Sequence, residues 1–144
     1  QHRKDRSDIG HLFNFDGGEI EDVNFLEGSE EVKYDGRLRL VSNRVEFVKT
    51  RYSAFAGTEL AAKLRNLGVN RVAVTGFMTN FCCESTARSA FDLDFLVDVI
   101  IDATGTPGTD NYNQAKVRKE SAEILSAGFA RVFTTEKYLK TFAK

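Results

Sequence analysis

Cysteine is scarce in this chain, with two among 144 residues, and the two are adjacent. Neighbouring thiols are poorly placed to bridge each other, and one pair makes no disulfide framework, so a reducing compartment, the cytoplasm, is the expected location. A charge of one sign is also lacking: 20 Lys and Arg against 21 Asp and Glu leave a formal net charge of −1. With no basic surplus, nucleic acid is not an expected partner. Long hydrophobic runs are missing too. Stretches such as those within "FLVDVII" (95–101) fall far short of the roughly 20 residues of a membrane span, and no charged-then-apolar leader opens the sequence. Histidine occurs only at His2 and His11, and two histidines without a clear third ligand make a weak metal site, so neither metal nor cofactor is expected. Repeats and low-complexity tracts are absent. What is present is 42% hydrophobic and 28% charged residues, the profile of an ordinary globular protein. The length suits one domain with one core.

Apolar periodicity organises the chain from about Arg44 onward. "VEFVK" (45–49) reads as a short strand. "GTELAAKLRNLG" (57–68) reads as a helix with Thr58 as its N-cap and Gly68 as its stop. "RVAVTGF" (71–77) is a β-branched strand of the kind buried on both faces. A helix is expected over 82–94, with Ala87, Ala90 and Phe91 on one side, then a second buried strand over 96–102. An amphipathic helix over 113–128 and a last short strand over 131–135 complete the pattern. Strand and helix alternating at this spacing predict right-handed βαβ units and a mostly parallel sheet covered by helices, an α/β three-layer sandwich. The single domain, 1–144, is thus expected to hold a βαβαβαβ core over 45–135. Residues 1–44 are polar, with an acidic cluster at Glu27, Glu30 and Glu31. They read as a surface excursion whose one hairpin signal is the Asp35-Gly36 turn in "KYDGRLRL".

Ligands bind beyond the carboxyl ends of strands in parallel α/β sheets. Two strand ends carry chemistry here. Lys49 closes "VEFVK", and the strand "RVAVTGF" runs into "MTNFCC", placing Cys82 at the start of a helix, where backbone N–H groups and the helix dipole favour a thiolate. Cys82 is therefore a candidate nucleophile, although a small buried hydrophobe would look the same from local sequence. Cys83 points about 100° away along the helix and is expected to pack against the sheet. The two lack the spacing of metal or thioredoxin-type pairs.

Three blocks, "KTRYSAFAGTEL" (49–60), "VTGFMTNFCCESTARSAF" (74–91) and "VIIDAT" (99–104), resemble in order and spacing the signatures of the isochorismatase-like cysteine hydrolases. That superfamily includes nicotinamidases, N-carbamoylsarcosine amidohydrolases and ureidoacrylate amidohydrolases. The resemblance covers roughly residues 45–135. It implies a Rossmann-like fold, Cys82 as nucleophile and Lys49 as the catalytic lysine. It further implies an oxyanion hole from the backbone N–H groups of Met78 and Cys82, and a cis peptide bond between Phe77 and Met78. Tyr52, Phe55, Phe77 and Phe81 are then candidates for the apolar wall against which a planar substrate lies. The implied chemistry is hydrolysis of a C–N bond in a small amide, carbamoyl or ureido compound through a thioester on Cys82, without metal. Nicotinamidase-like members use an Asp-x-His block, which His2 and His11 do not form.

The family's third catalytic residue is an aspartate closing the first strand, and no matching block occurs here. Asp5, Asp8 and Asp16 do not fit the motif. The opening "QH" resembles the end of the family's second strand, so the first strand, first helix and most of the second strand are expected to lie outside this sequence. A companion chain or a further part of the polypeptide would then supply them, in a domain of about 180 to 200 residues. Homo-oligomers are common in the family. Two other readings remain: an isochorismatase acting on a vinyl ether, disfavoured by the cysteine, and a catalytically inactive scaffold of the same fold.

Overall fold

The computed structural model describes residues 25–142. Two compact units divide the chain after Arg51. Within residues 25–51 the one helical element is a 3-10 turn at Glu30–Val32. Local polar bonds shape the rest: Glu31 accepts from the Phe25 N–H at 2.7 Å, and Lys33 pairs with Glu30. The turn at Asp35-Gly36 forms, closed by Leu38 N–H on the Asp35 carbonyl at 2.9 Å. The Asp35 carboxylate also accepts from the Arg37 N–H at 2.9 Å, and its bond from the Arg37 side chain holds this carboxyl well below the usual range. The expected hairpin does not follow, because no ladder flanks the turn. Residues 45–49 likewise form no strand among the described residues. A strand exists only through its neighbours, and here Val45 and Val48 stay exposed.

Residues 52–142 carry the α/β architecture. Helix α1 (Leu60–Asn66) leads to strand β1 (Arg71–Phe77), helix α2 (Glu84–Asp92), strand β2 (Leu96–Gly105), helix α3 (Gln114–Ser126), strand β3 (Arg131–Phe133) and helix α4 (Thr135–Phe142). The three strands run parallel in the order β1-β2-β3, as the alternating pattern requires. Gly68 ends α1 as expected, at φ +70°, with Val69 N–H returning to the Leu64 carbonyl at 2.9 Å. Helix α1 starts later than expected, at Leu60. The Thr58 hydroxyl does accept from Leu60 N–H at 3.3 Å, but it also donates to the Ala54 carbonyl at 2.6 Å, which keeps 57–59 in a turn. Asn113 caps α3 by accepting from Lys116 N–H at 2.9 Å, a standard side-chain N-cap.

The core gathers Val74, Cys83, Ala87, Ala90, Phe95, Val97, Val99 and Leu125. It joins β1, β2, α2 and α3, and each fully buried aliphatic side chain there contributes about 1.5–3 kcal/mol. Burial on both faces was expected of β1 but belongs to β2, whose residues 97–100 are all buried. In β1 only Val74 is buried, while Ala73, Thr75, Gly76 and Phe77 are exposed. Among the described residues β1 pairs on one side only, with β2. Phe91 was expected on the inner face of α2 but is exposed, set edge-on against Phe129 at 5.7 Å.

The buried run of β2 includes a charge. Asp98 is fully buried and accepts from Arg131 of β3 at 2.8 and 3.0 Å and from Arg71 of β1 at 3.2 Å. One carboxylate thereby ties all three strands together. Helix α4 is capped from a distance: Asp102 at the end of β2 accepts from the Thr135 N–H and hydroxyl at 2.7 and 2.8 Å. Burial works to raise the Asp102 carboxyl, but those two bonds and the Arg118 charge outweigh it and hold the group below its ordinary value.

Candidate active site

The segment carrying both thiols turns out to be a π-helical turn. Thr79–Cys83 form this five-residue element directly between β1 and α2. Its wider winding is visible in the bonds: the Met78 carbonyl accepts from Cys83 N–H at 3.1 Å and from Phe81 N–H at 3.3 Å. Cys82 is thus the fourth residue of a turn that begins at Thr79, rather than the first residue of the helix. A π turn inserts one residue into a helix and re-aims the side chains around it. It separates the two thiols in the expected way: Cys83 is buried in the core and Cys82 is half-buried.

The approach to that turn is specialised. Gly76 has φ +115°, where a side chain would be strained, and the β1–β2 register shifts between Val74 and Gly76. The next peptide bond, Phe77–Met78, is cis, as the resemblance implies. A glycine-dependent bulge, a cis bond and a π turn therefore follow one another within eight residues, 76–83, and deliver Cys82 beyond the carboxyl end of β1.

Two further pieces converge on this turn. From the block "RYSAF", Ala54 N–H donates to the Thr86 hydroxyl of α2 at 3.0 Å, and the Tyr52 ring lies 5.2 Å from that of Phe81. From the block "VIIDAT", the hydroxyls of Thr104 and Thr79 meet at 2.9 Å, both threonines buried. The Thr104 carbonyl is held in turn by Arg118 of α3, with Nε at 2.8 Å. The three signature blocks are thus assembled in space by hydrogen bonds and ring packing.

Among the residues singled out from sequence, the structure brings Tyr52, Phe77, Met78, Phe81 and Cys82 to this region. Phe77 is exposed at the strand end. Phe55 faces elsewhere: its ring stacks on Phe95 at 5.7 Å, and it packs against the core. Lys49 lies in the preceding unit, where its Nζ donates to the Arg51 carbonyl at 2.7 Å. Thr79, Thr104 and Arg118 were not singled out from sequence. The available signal was a threonine at each of two strand ends. His2, His11, Asp5, Asp8 and Asp16 lie outside the described residues. Among the described residues no group of three His, Cys, Asp or Glu is placed to hold a metal ion, and no helix is long and apolar enough to cross a membrane.

Comparison with known proteins agrees with this assembly. The chain is 36% identical over 95 residues to the ureidoacrylate amidohydrolase RutB of Variovorax paradoxus, covering 66% of this chain and 36% of that protein. It is 40% identical over 89 residues to nicotinamidase 3 of Arabidopsis thaliana, covering 62% of this chain and 42% of the relative. The matches to these curated relatives therefore span about two-fifths of their lengths. Among solved structures, an isochorismatase family protein from Desulfovibrio vulgaris superimposes with a TM-score of 0.77 at 30% identity, covering 99% of this chain and 72% of the other. The nicotinamidase of Staphylococcus aureus gives 0.52 at 28% identity, over 58% of this chain and 51% of that one. The isochorismatase domain model matches residues 2–137, and the chain belongs to that family.

Proposed function

We propose that this chain is a cysteine amidohydrolase acting on a C–N bond of a small amide, carbamoyl or ureido compound. The observation that carries the reading is the placement of Cys82, half-buried on a π turn directly after the cis bond at the end of β1. Similarity to a ureidoacrylate amidohydrolase and a nicotinamidase supports the substrate class.

In this reading the Cys82 thiolate attacks the carbonyl carbon and the C=O π electrons move onto oxygen. Backbone N–H groups of Met78 and Cys82 hold that oxyanion. The tetrahedral intermediate collapses by breaking the C–N bond, with a proton delivered to the departing nitrogen, and leaves an acyl thioester on Cys82. Water then attacks the thioester, releasing the acid and restoring the thiol. The resemblance assigns the proton shuttle to an aspartate outside this sequence, supplied by a companion chain or a further part of the polypeptide, and charge stabilisation to Lys49. Tyr52, Phe77 and Phe81 supply aromatic surface for a planar substrate. The Phe55 ring, stacked on Phe95, contributes by supporting the loop.

The test is release of ammonia or amine from a panel of primary amides, carbamoyl and ureido compounds, using a chain that includes the strands expected upstream. Turnover that disappears in Cys82→Ala and falls in Lys49→Ala supports the reading. Equal turnover in the Cys82→Ala variant contradicts it.

A further inference from the structure

The turn that carries Cys82, the loop after β2 and helix α3 together line an open pocket of about 400 Å³. That volume lies in the range of small-molecule sites, about 300–1,000 Å³. Phe81, Val117 and Ile124 give it an apolar wall, and two carboxylates, Glu84 and Glu120, enter the same lining. No Lys, Arg or His is among the described lining residues. Glu84 has Arg88 of its own helix at 3.8 Å, the long limit of an ion pair. Glu120, half-buried, makes no ion pair or hydrogen bond among the described residues.

Two hydroxyls add an independent observation. Ser121 and Thr106 line the cavity and are only 3% and 7% exposed. Neither side chain has a hydrogen-bond partner among the described residues. Neither oxygen is among the fully buried unpartnered side-chain atoms, so each reaches the open side of the pocket. A ligand there would find both hydroxyls open to a hydrogen bond. The loop that brings Thr106 is itself held tightly. Gly108 sits at φ +80°, and a Cβ there would fall 2.7 Å from the Tyr112 carbonyl. Thr109 and Tyr112 also exchange backbone bonds at 2.7 and 3.2 Å.

The chemistry selects a class of occupant. Glu120, with no ion pair among the described residues, and Glu84, held only at long range by Arg88, repel an anion and favour a positive charge. An ammonium group donates three hydrogen bonds and accepts none, which suits carboxylate and hydroxyl oxygens together. A bare divalent ion takes a shell of six or more oxygens and would leave the apolar wall unused. We infer that this cavity binds a small organic cation, a primary ammonium or guanidinium on a short apolar body, held by Glu84 and Glu120 with the Ser121 and Thr106 hydroxyls as acceptors. The site stands independently of the amidohydrolase reading, although it shares Met78 and Phe81 with the turn bearing Cys82.

Phenethylamine is the probe, titrated into the chain at neutral pH by calorimetry and by amide NMR, with phenethyl alcohol and 3-phenylpropionate as neutral and anionic controls. Saturable binding of the amine is expected, with shifts at Thr106, Glu120 and Ser121 and at least about tenfold weaker binding of both controls. Glu120→Gln should weaken the amine about tenfold with an unchanged circular dichroism spectrum, and Ser121→Ala about threefold. Equal binding of amine and alcohol, no saturation below about 10 mM, or full affinity in a folded Glu120→Gln overturns it.

Discussion

Residues 25–51 and residues 52–142 are built on different physics. In the first, the side-chain hydrogen bonds described within the unit join residues six positions apart or fewer, such as Phe25 to Glu31 and Arg44 to Glu46, and the pairs are exposed. In the second, bonds reach across 25 to 33 positions, from Thr79 to Thr104 and from Arg131 to Asp98, and they surround a buried core. Exposed pairs contribute at most about 1 kcal/mol each. Among the described residues the buried core lies in 52–142, which also holds Cys82, while Lys49 belongs to the preceding unit.

Truncating one side chain in each region should expose this contrast most strongly. Leu125, 1% exposed in the core, should cost about 2–5 kcal/mol as Leu125→Ala. Val48, 62% exposed, should cost within about 0.5 kcal/mol as Val48→Ala. Denaturant unfolding of the two variants checks both values, and a large loss at Val48 would break the comparison. The buried ion group comes next. Asp98→Ala removes the carboxylate that joins three strands and should cost about 3 kcal/mol, since breaking a buried pair on one side is expensive. Because the two arginines are partly exposed, they can rehydrate, and the loss should sit at the lower end of that class.

The smallest expected effect is a pH dependence. Asp102 has its folded pKa below the unfolded value, so its contribution is present above the unfolded carboxyl pKa of about 3.9 and is lost as pH falls through the folded value. Asp102→Asn should flatten the acid limb of the stability curve below about pH 4 and leave the neutral region with only a small uniform loss. Stability followed from pH 7 to pH 2 in both proteins checks the sign. A steeper acid limb in the variant would contradict it.

Much of 52–142 was legible because its signals are local. β-branched runs marked β1 and β2, Gly68 marked a helix end, and alternation fixed the parallel sheet. Where the structure departs, the cause is long-range. β1 has the composition of a buried strand, yet among the described residues it is paired on one side only. Helix α4 was missed because its N-terminus depends on Asp102, 33 residues away, and its aromatic side chains Tyr138 and Phe142 pack on Phe133 of β3. The π turn has no propensity signature and is defined by which carbonyl Cys83 reaches. "VEFVK" and "KYDGRLRL" carry strand-like residues but form no strand among the described residues, so composition alone overstated them. The cis bond at Phe77–Met78 came from the resemblance and not from the residues' own preferences. Thr79 and Thr104 were overlooked because a single hydroxyl at a strand end says nothing until its partner is known.

The central claim is that Cys82, and not its neighbour, is the nucleophile. Mass spectrometry of rapidly quenched reactions with a slowly hydrolysed amide or activated ester, on a chain including the upstream strands, tests it most directly. The account predicts one acyl group on the peptide containing both thiols, retained in Cys83→Ala, absent in Cys82→Ala and released by hydroxylamine. An adduct that survives in Cys82→Ala, or that maps to Cys83, would contradict it.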